Sequence, residues 1–185
     1  MNDAKHPAGA GVHRRAAGFT LIEVLVAMIV MAIGLLGVAS LQIFSLRGSY
    51  EGLQRSQAAA LANAVIDRMR SNPERLASYA GTRGGSTTTS EPAATCGDKE
   101  TCLTVLAARD LYELEKLAEA SDSLIDPRIC ISNNANTITV VVAWRGMEKR
   151  GDTSAALNDC GKNDIDNAYL KQIVMTTYIA PSNPY

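Results

Sequence analysis

Histidine is scarce in this 185-residue chain: only His6 and His13 occur, both inside the first 18 residues. A form of the protein that loses this leader has none. That removes Ser-His-Asp and Cys-His nucleophilic catalysis and every histidine-liganded metal. Carboxylates are plentiful, but no spacing singles out an acid/base pair, so the expectation is a non-enzyme without a cofactor. Aromatic residues make up only 5% of positions, and 18 basic groups nearly cancel 19 acidic ones. With neither a basic stripe nor an aromatic cluster, no nucleic acid is expected as a partner. At 46% hydrophobic, the chain is neither disordered throughout nor a many-helix transporter, and it can bury one modest core.

The most informative absence is local. No charged residue occurs from Val24 through Leu46, a run that as a helix measures about 34 Å and can cross a bilayer. Before it stands MNDAKHPAGAGVHRRAAG, residues 1–18, with Lys5, Arg14 and Arg15 against Asp3. This is a leader, and its basic pair belongs in the cytoplasm, which puts the chain beyond Leu46 on the far side of the membrane. A secretory signal peptide cut after Ala39 is the rival, because Gly37, Val38 and Ala39 are small. It fails because the helical pattern continues through Leu41 and Ile43. A plain one-pass anchor gives no reason for Glu23. A carboxylate in hydrocarbon costs about 2.5 to 3.5 kcal/mol on insertion scales and calls for a cation. None lies within reach on the helix. Removal of the leader after Gly18 would create one, the new amine of Phe19, and a neighbouring copy's amine can meet Glu23 as apolar helices bundle.

Gly18, Phe19, Thr20, Leu21, Ile22 and Glu23 stand as GFTLIE. Together with the basic leader and the apolar helix, they resemble the prepilin signature of type IV pilins and of the pseudopilins of type II secretion. The resemblance implies that a prepilin peptidase in the bacterial inner membrane cuts between Gly18 and Phe19 and methylates the amine of Phe19. It also implies subunit assembly as the role of Glu23. AIGLLGVASLQ and SLRGSYEGLQRSQAAALANAVIDRMRSNP further resemble the PilV group of minor pilins, so the likeness reaches Pro73. A member of that group is expected to sit in the inner membrane with its head in the periplasm and then to enter a pilus at or near the tip. There it helps to initiate assembly and supports twitching motility and adhesion. Its partners are the peptidase, other minor pilins, the major pilin and a tip adhesin. The alternatives are a minor pseudopilin of type II secretion and, from another class, a membrane-anchored periplasmic binding protein or enzyme.

The domain plan is a leader (1–18), a transmembrane and assembly helix (19–46) and a periplasmic head (47–185) that includes the second half of the same helix. Leu53, Ala60, Leu61, Ala64, Val65 and Met69 recur at three and four, predicting helix until Pro73 stops it. The two stretches form one helix of about 50 residues, with Gly34, Gly37, Gly48 and Gly52 as points where it can bend. Residues 77–101, with Gly81, Gly84, Gly85 and the run Ser86 to Ser90, break the pattern. They lack the Gly-Lys-Ser/Thr ending of a phosphate loop and are read as surface loop. Leu103, Leu106, Leu111, Leu114 and Leu117 predict a second helix, with Asp110, Glu113, Glu115 and Glu119 mainly on its solvated side.

From Pro127 the period changes to two. Arg128–Ser132 and Thr137–Trp144 read as a hairpin turned by Asn133 to Asn136, with Ile138, Val140, Val142 and Trp144 on one face. A third strand runs from Tyr169 to Ala180. The resulting fold class is α+β and pilin-like, a long N-terminal helix on a small antiparallel sheet with an extra helix in the connecting region. Arg150, Gly151 and Asp152 spell an adhesion tripeptide that an exposed turn explains as well. The run from Asn158 to Asn167 is Asx-rich but lacks the ligand order of a calcium loop.

Four cysteines, Cys96, Cys102, Cys130 and Cys160, lie on the far side of the membrane and suggest two disulfides, with three pairings open. The favoured one joins Cys96 to Cys102 and Cys130 to Cys160, the second bridge contributing about 3 kcal/mol by chain entropy. A zinc site would need Cys-x-x-Cys pairs, and there are none. Without residues 1–18 the chain keeps 15 basic groups against 18 acidic ones, so the mature form is mildly acidic. The intact mass of the mature protein is expected to equal residues 19–185 plus one methyl group with every cysteine oxidised. A mass that retains the leader would refute processing.

Overall fold

The computed structural model describes residues 18–84, 90–93, 95–150 and 158–180. Leader residues 1–17, most of the Gly/Ser/Thr run (85–89), and Gly151 and Asp152 of the tripeptide lie outside the described residues. The chain divides into two compact units, Met1–Ser45 and Leu46–Tyr185. One helix, α1 (Leu21–Ser71), passes from the first unit into the second. It is followed by a 3-10 stretch at Pro73–Tyr79, β1 (Gly81–Arg83), α2 (Lys99–Glu119), β2 (Ile125–Asn134), β3 (Thr137–Arg145) and β4 (Leu170–Tyr178). The architecture is α+β, with a four-stranded antiparallel sheet in the order β1-β2-β3-β4.

Within the second unit, α1 buries Gln54, Ala58, Leu61, Ala62, Val65, Ile66 and Met69. This stripe differs from the predicted one, since Leu53 and Ala60 stay exposed. The helix ends where Pro73 removes a donor, and Asn72 turns inward to donate from Nδ2 to the Leu103 carbonyl at 3.0 Å. Helix α2 opens on Asp98, which accepts from the Thr101 backbone N–H at 2.7 Å as an N-cap. Hydrogen bonding from Thr101 holds the Asp98 carboxyl below its ordinary range.

The buried stripe of α2 is Ala107, Leu111, Leu114, Glu115 and Ala118. Leu106 and Leu117, both predicted inward, are exposed, and Glu115, predicted to be solvated, is buried. Ala107 and Ala118 account for the shift: their small side chains allow close approach along a line that turns the flanking leucines out and carries Glu115 in. Between α1 and α2, Tyr79 donates to Asp110 Oδ2 at 2.5 Å. Arg68 bridges Asp110 at 3.2 Å and Glu113 at 2.8 Å. Burial, reinforced by the Asp110 bond, pushes the Tyr79 hydroxyl above its ordinary range.

Strands β2 and β3 meet through Ala135 and Asn136, both at positive φ (49° and 68°), a two-residue turn whose twist suits a hairpin. Asn133 Oδ1 accepts from the Asn136 N–H at 3.1 Å and steadies it. The face bearing Ile138, Val140, Val142 and Trp144 joins α1, α2 and the 3-10 stretch in the main core.

The opposite face of the sheet is covered as well. Val141 and Ala143 pack with Cys160, Ile165 and Leu170, with Cys130 beside them. The chain before β4 is held there by the Cys130–Cys160 bridge and by Arg128, which donates from Nε to Asp164 at 3.2 Å. Gly161 sits at φ +79°, and a Cβ there would stand 3.3 Å from both Ala143 and Leu170 side chains. A larger residue would meet backbone strain and crowding together.

Gln54 ties the layers of the main core by polar contacts. Its Nε2 donates to the Ser123 carbonyl at 2.8 Å, and its Oε1 accepts from Trp144 Nε1 at 3.2 Å. Gln54→Ala leaves a buried indole N–H and a buried carbonyl unpaired, a loss of about 2 to 4 kcal/mol. The expected result is a clear fall in the urea midpoint of the detergent-solubilised protein, against little change for exposed Arg55→Ala. Equal midpoints for the two variants would show that the Gln54 contacts add no stability.

Candidate functional site

In the first unit the local sequence sets up a helix start. Gly18, Phe19 and Thr20 precede the first turn, and α1 begins at Leu21. The Thr20 carbonyl accepts from the N–H groups of Glu23 at 3.1 Å and Val24 at 3.3 Å. Thr20 Oγ1 accepts from the Glu23 N–H at 3.3 Å. Thr20 therefore caps the helix with Glu23 in its first turn, the Thr-x-x-Glu order of a capping box. The capping role of Thr20 escaped the sequence reading, although the spacing at 20–23 carried its signature. An acid in the first turn also complements the positive end of the helix dipole.

Every residue from Gly18 to Ser49 is exposed. Leu21 is 92% and Phe19 82% exposed, so the apolar side chains of this unit find no cover among the described residues. Phe19, Glu23, Val24, Ala27, Met28 and Met31 line one shallow hollow along the helix surface. Glu23 has no basic partner among the described residues. A Cβ built on Gly18 would meet no atom within 4 Å, so packing among the described residues does not demand glycine there. Among the described residues, α1 is the one helix long and apolar enough to cross a membrane.

Elsewhere, the structure pairs Cys96 with Cys102 (Cα–Cα 5.0 Å) and Cys130 with Cys160 (Cα–Cα 5.8 Å). The first closes a small loop around the start of α2. The second spans the covered back of the sheet. In the Asx-rich run, Asp159 pairs with Lys162 at 2.7 Å, and Asp166 Oδ1 accepts from the Ala168 N–H at 2.9 Å. Asp164 reaches across to Arg128 of β2, so these acids are engaged within the fold. No group of three or more His, Cys, Asp or Glu that could hold a metal ion occurs among the described residues.

The prokaryotic N-terminal methylation motif matches residues 13–39, a window that contains Gly18, Phe19, Thr20 and Glu23. The Tt1218-like family model, described as type IV pilin Tt1218, continues the match over residues 40–112, through the second half of α1 and into α2. The chain is a type IV pilin. No curated protein and no solved structure matches it. The architecture, a long N-terminal helix with an extra helix and a small antiparallel sheet, is pilin-like. Membership implies interaction with other pilins and processing by a prepilin peptidase through the methylation motif. The exposed apolar first half of α1 fits both a membrane anchor and a pilus.

Proposed function

We propose that this pilin is a minor pilin of the PilV group. Prepilin peptidase cuts it between Gly18 and Phe19 and methylates the Phe19 amine, and the protein enters a pilus at or near the tip. It is structural, without catalytic activity. Its work is to help initiate assembly with other minor pilins and the major pilin, and so to support twitching motility and adhesion, with a tip adhesin as a further partner. Before assembly it spans the inner membrane once, with its head in the periplasm.

The observation that carries this proposal is Glu23, a lone acid on a helix face that is otherwise exposed and apolar, with no cation to meet it. It is the fifth residue counted from Phe19. A neighbouring subunit's Phe19 amine supplies the missing charge only once the apolar helices have gathered and excluded water. Hydrophobic burial is non-directional and supplies affinity, whereas a single ion pair in a dry bundle sets axial register. The PilV-like residues from Ala32 to Pro73 support placement among the minor pilins.

Glu23→Ala should leave membrane insertion intact. Stranding an amine in the bundle costs about 3 to 5 kcal/mol, so incorporation into fibres should fall by roughly a hundredfold or more. The measurement is quantitative immunoblotting of sheared pili against membrane fractions. Normal incorporation would end the assembly role of Glu23. A gene deletion that blocks protein export while pili persist would move the protein to the pseudopilins of type II secretion.

A further inference from the structure

We propose that the corner between β3 and β4 binds anionic lipid headgroups while the pilin is membrane-anchored, so that the head rests on the bilayer through a basic foot. This rests on membrane insertion of α1 and goes beyond the assembly role. Arg47 is the first charge after the uncharged run that ends at Leu46. That run slightly exceeds a hydrocarbon core of about 30 Å, which puts Arg47 at headgroup level. Whatever Arg47 touches is at the same level. Its guanidinium meets Glu148, in the corner after β3, at 2.9 Å. Tyr50, Glu51 and Met147 line the same hollow.

The corner itself is tight. The Gly146 N–H donates to the Tyr169 carbonyl at 2.8 Å, and a Cβ at Gly146 would come within 2.8 Å of the Lys171 side chain. This close turn brings Arg145 and Lys149 over the Tyr169 ring, at 5.7 and 5.9 Å from its centroid. The acids here already have partners: Glu148 is paired with Arg47, and Glu51 with Lys171 at 3.5 Å. Arg145 and Lys149, both exposed, meet no carboxylate among the described residues. The corner therefore presents, on an aromatic ring, cations with no carboxylate partner among the described residues, with Met147 64% exposed between them. Paired cations, an amphipathic ring and one apolar side chain suit the boundary of an anionic bilayer, where charge meets phosphate and the apolar tip enters the acyl margin.

The test uses the full-length pilin in nanodiscs of phosphatidylcholine alone and of phosphatidylcholine with phosphatidylglycerol. Amide hydrogen exchange over Gly146–Lys149 is expected to slow several-fold in the anionic discs, and high salt should erase the difference. The double variant Arg145→Glu, Lys149→Glu should erase it as well while leaving exchange in β2 unchanged, which reports an intact fold. Equal exchange in the two discs overturns the proposal. So does slowing that appears only in assembled fibres, which would assign the corner to a subunit contact. Co-elution with the disc reads insertion separately, so loss of lipid preference with insertion intact overturns the foot without touching the assembly role.

Discussion

One helix must be stable in two solvents, and the rest of the molecule follows from that demand. Along the first half of α1 no side chain is buried among the described residues, and each large apolar one left in water forgoes about 1.5 to 3 kcal/mol. Summed along the run, this far exceeds the net stability of an ordinary domain, about 5 to 15 kcal/mol. The segment therefore has to be surrounded by lipid or by other helices. Lipid and helix bundle are equivalent in apolar contact, so hydrophobicity alone gives no reason to leave one for the other. On the proposed role of Glu23, a charged group on the helix breaks that equivalence, because a bundle of processed subunits would offer a fixed counter-charge.

The second half of the same helix has the opposite problem: it must be one layer of a folded head. There the helix buries a stripe of mostly apolar side chains, and Gln54 at its start carries hydrogen bonds to Trp144 and Ser123. With α1 and α2 both on one face, no helix among the described residues is left for the other face of the sheet. The chain leading into β4 and the first residue of that strand fill that place with few apolar side chains, chiefly Ile165 and Leu170. So little buried area would hold a loop weakly. The Cys130–Cys160 bridge, the Arg128–Asp164 pair and the space left by Gly161 replace the missing hydrophobic layer.

Much of this was legible in the residues. Pro73, the change from a period near 3.6 to a period of two after Pro127, and the Asn-rich turn located α1, β2, β3 and β4 within a few residues. The GFTLIE string, charge-free run and leader carried the family, because they combine features that rarely coincide. What escaped depends on tertiary contact. Strand β1, Gly81–Arg83, is too short to show a period and exists because β2 offers it an edge. The stripe of α2 was misjudged because leucines outweigh alanines in any hydrophobic pattern, while the packing favoured the alanines. The covered back of the sheet was hidden because Val141 and Ala143 read as the outward half of an alternating strand.

Thr20 and Glu23 combine two demands at one helix end. With the leader removed, a cap at Thr20 leaves only Phe19 outside the first turn, so the new amine is held against the positive end of its own helix. A cation there is disfavoured by about 0.3 to 1 kcal/mol, while an acid in the first turn gains by a similar amount. In an isolated subunit, then, the helix dipole works against the amine. Both charges are near the same end and remain individually under-satisfied in an apolar surrounding. On the proposed assembly role, docking an amine from one subunit beside a carboxylate of another would relieve the amine of its own dipole and supply Glu23 with a cation at once. The same short string thus opens the helix and, on the proposed reading, would also mark where the leader ends and favour the assembled subunit over the isolated one.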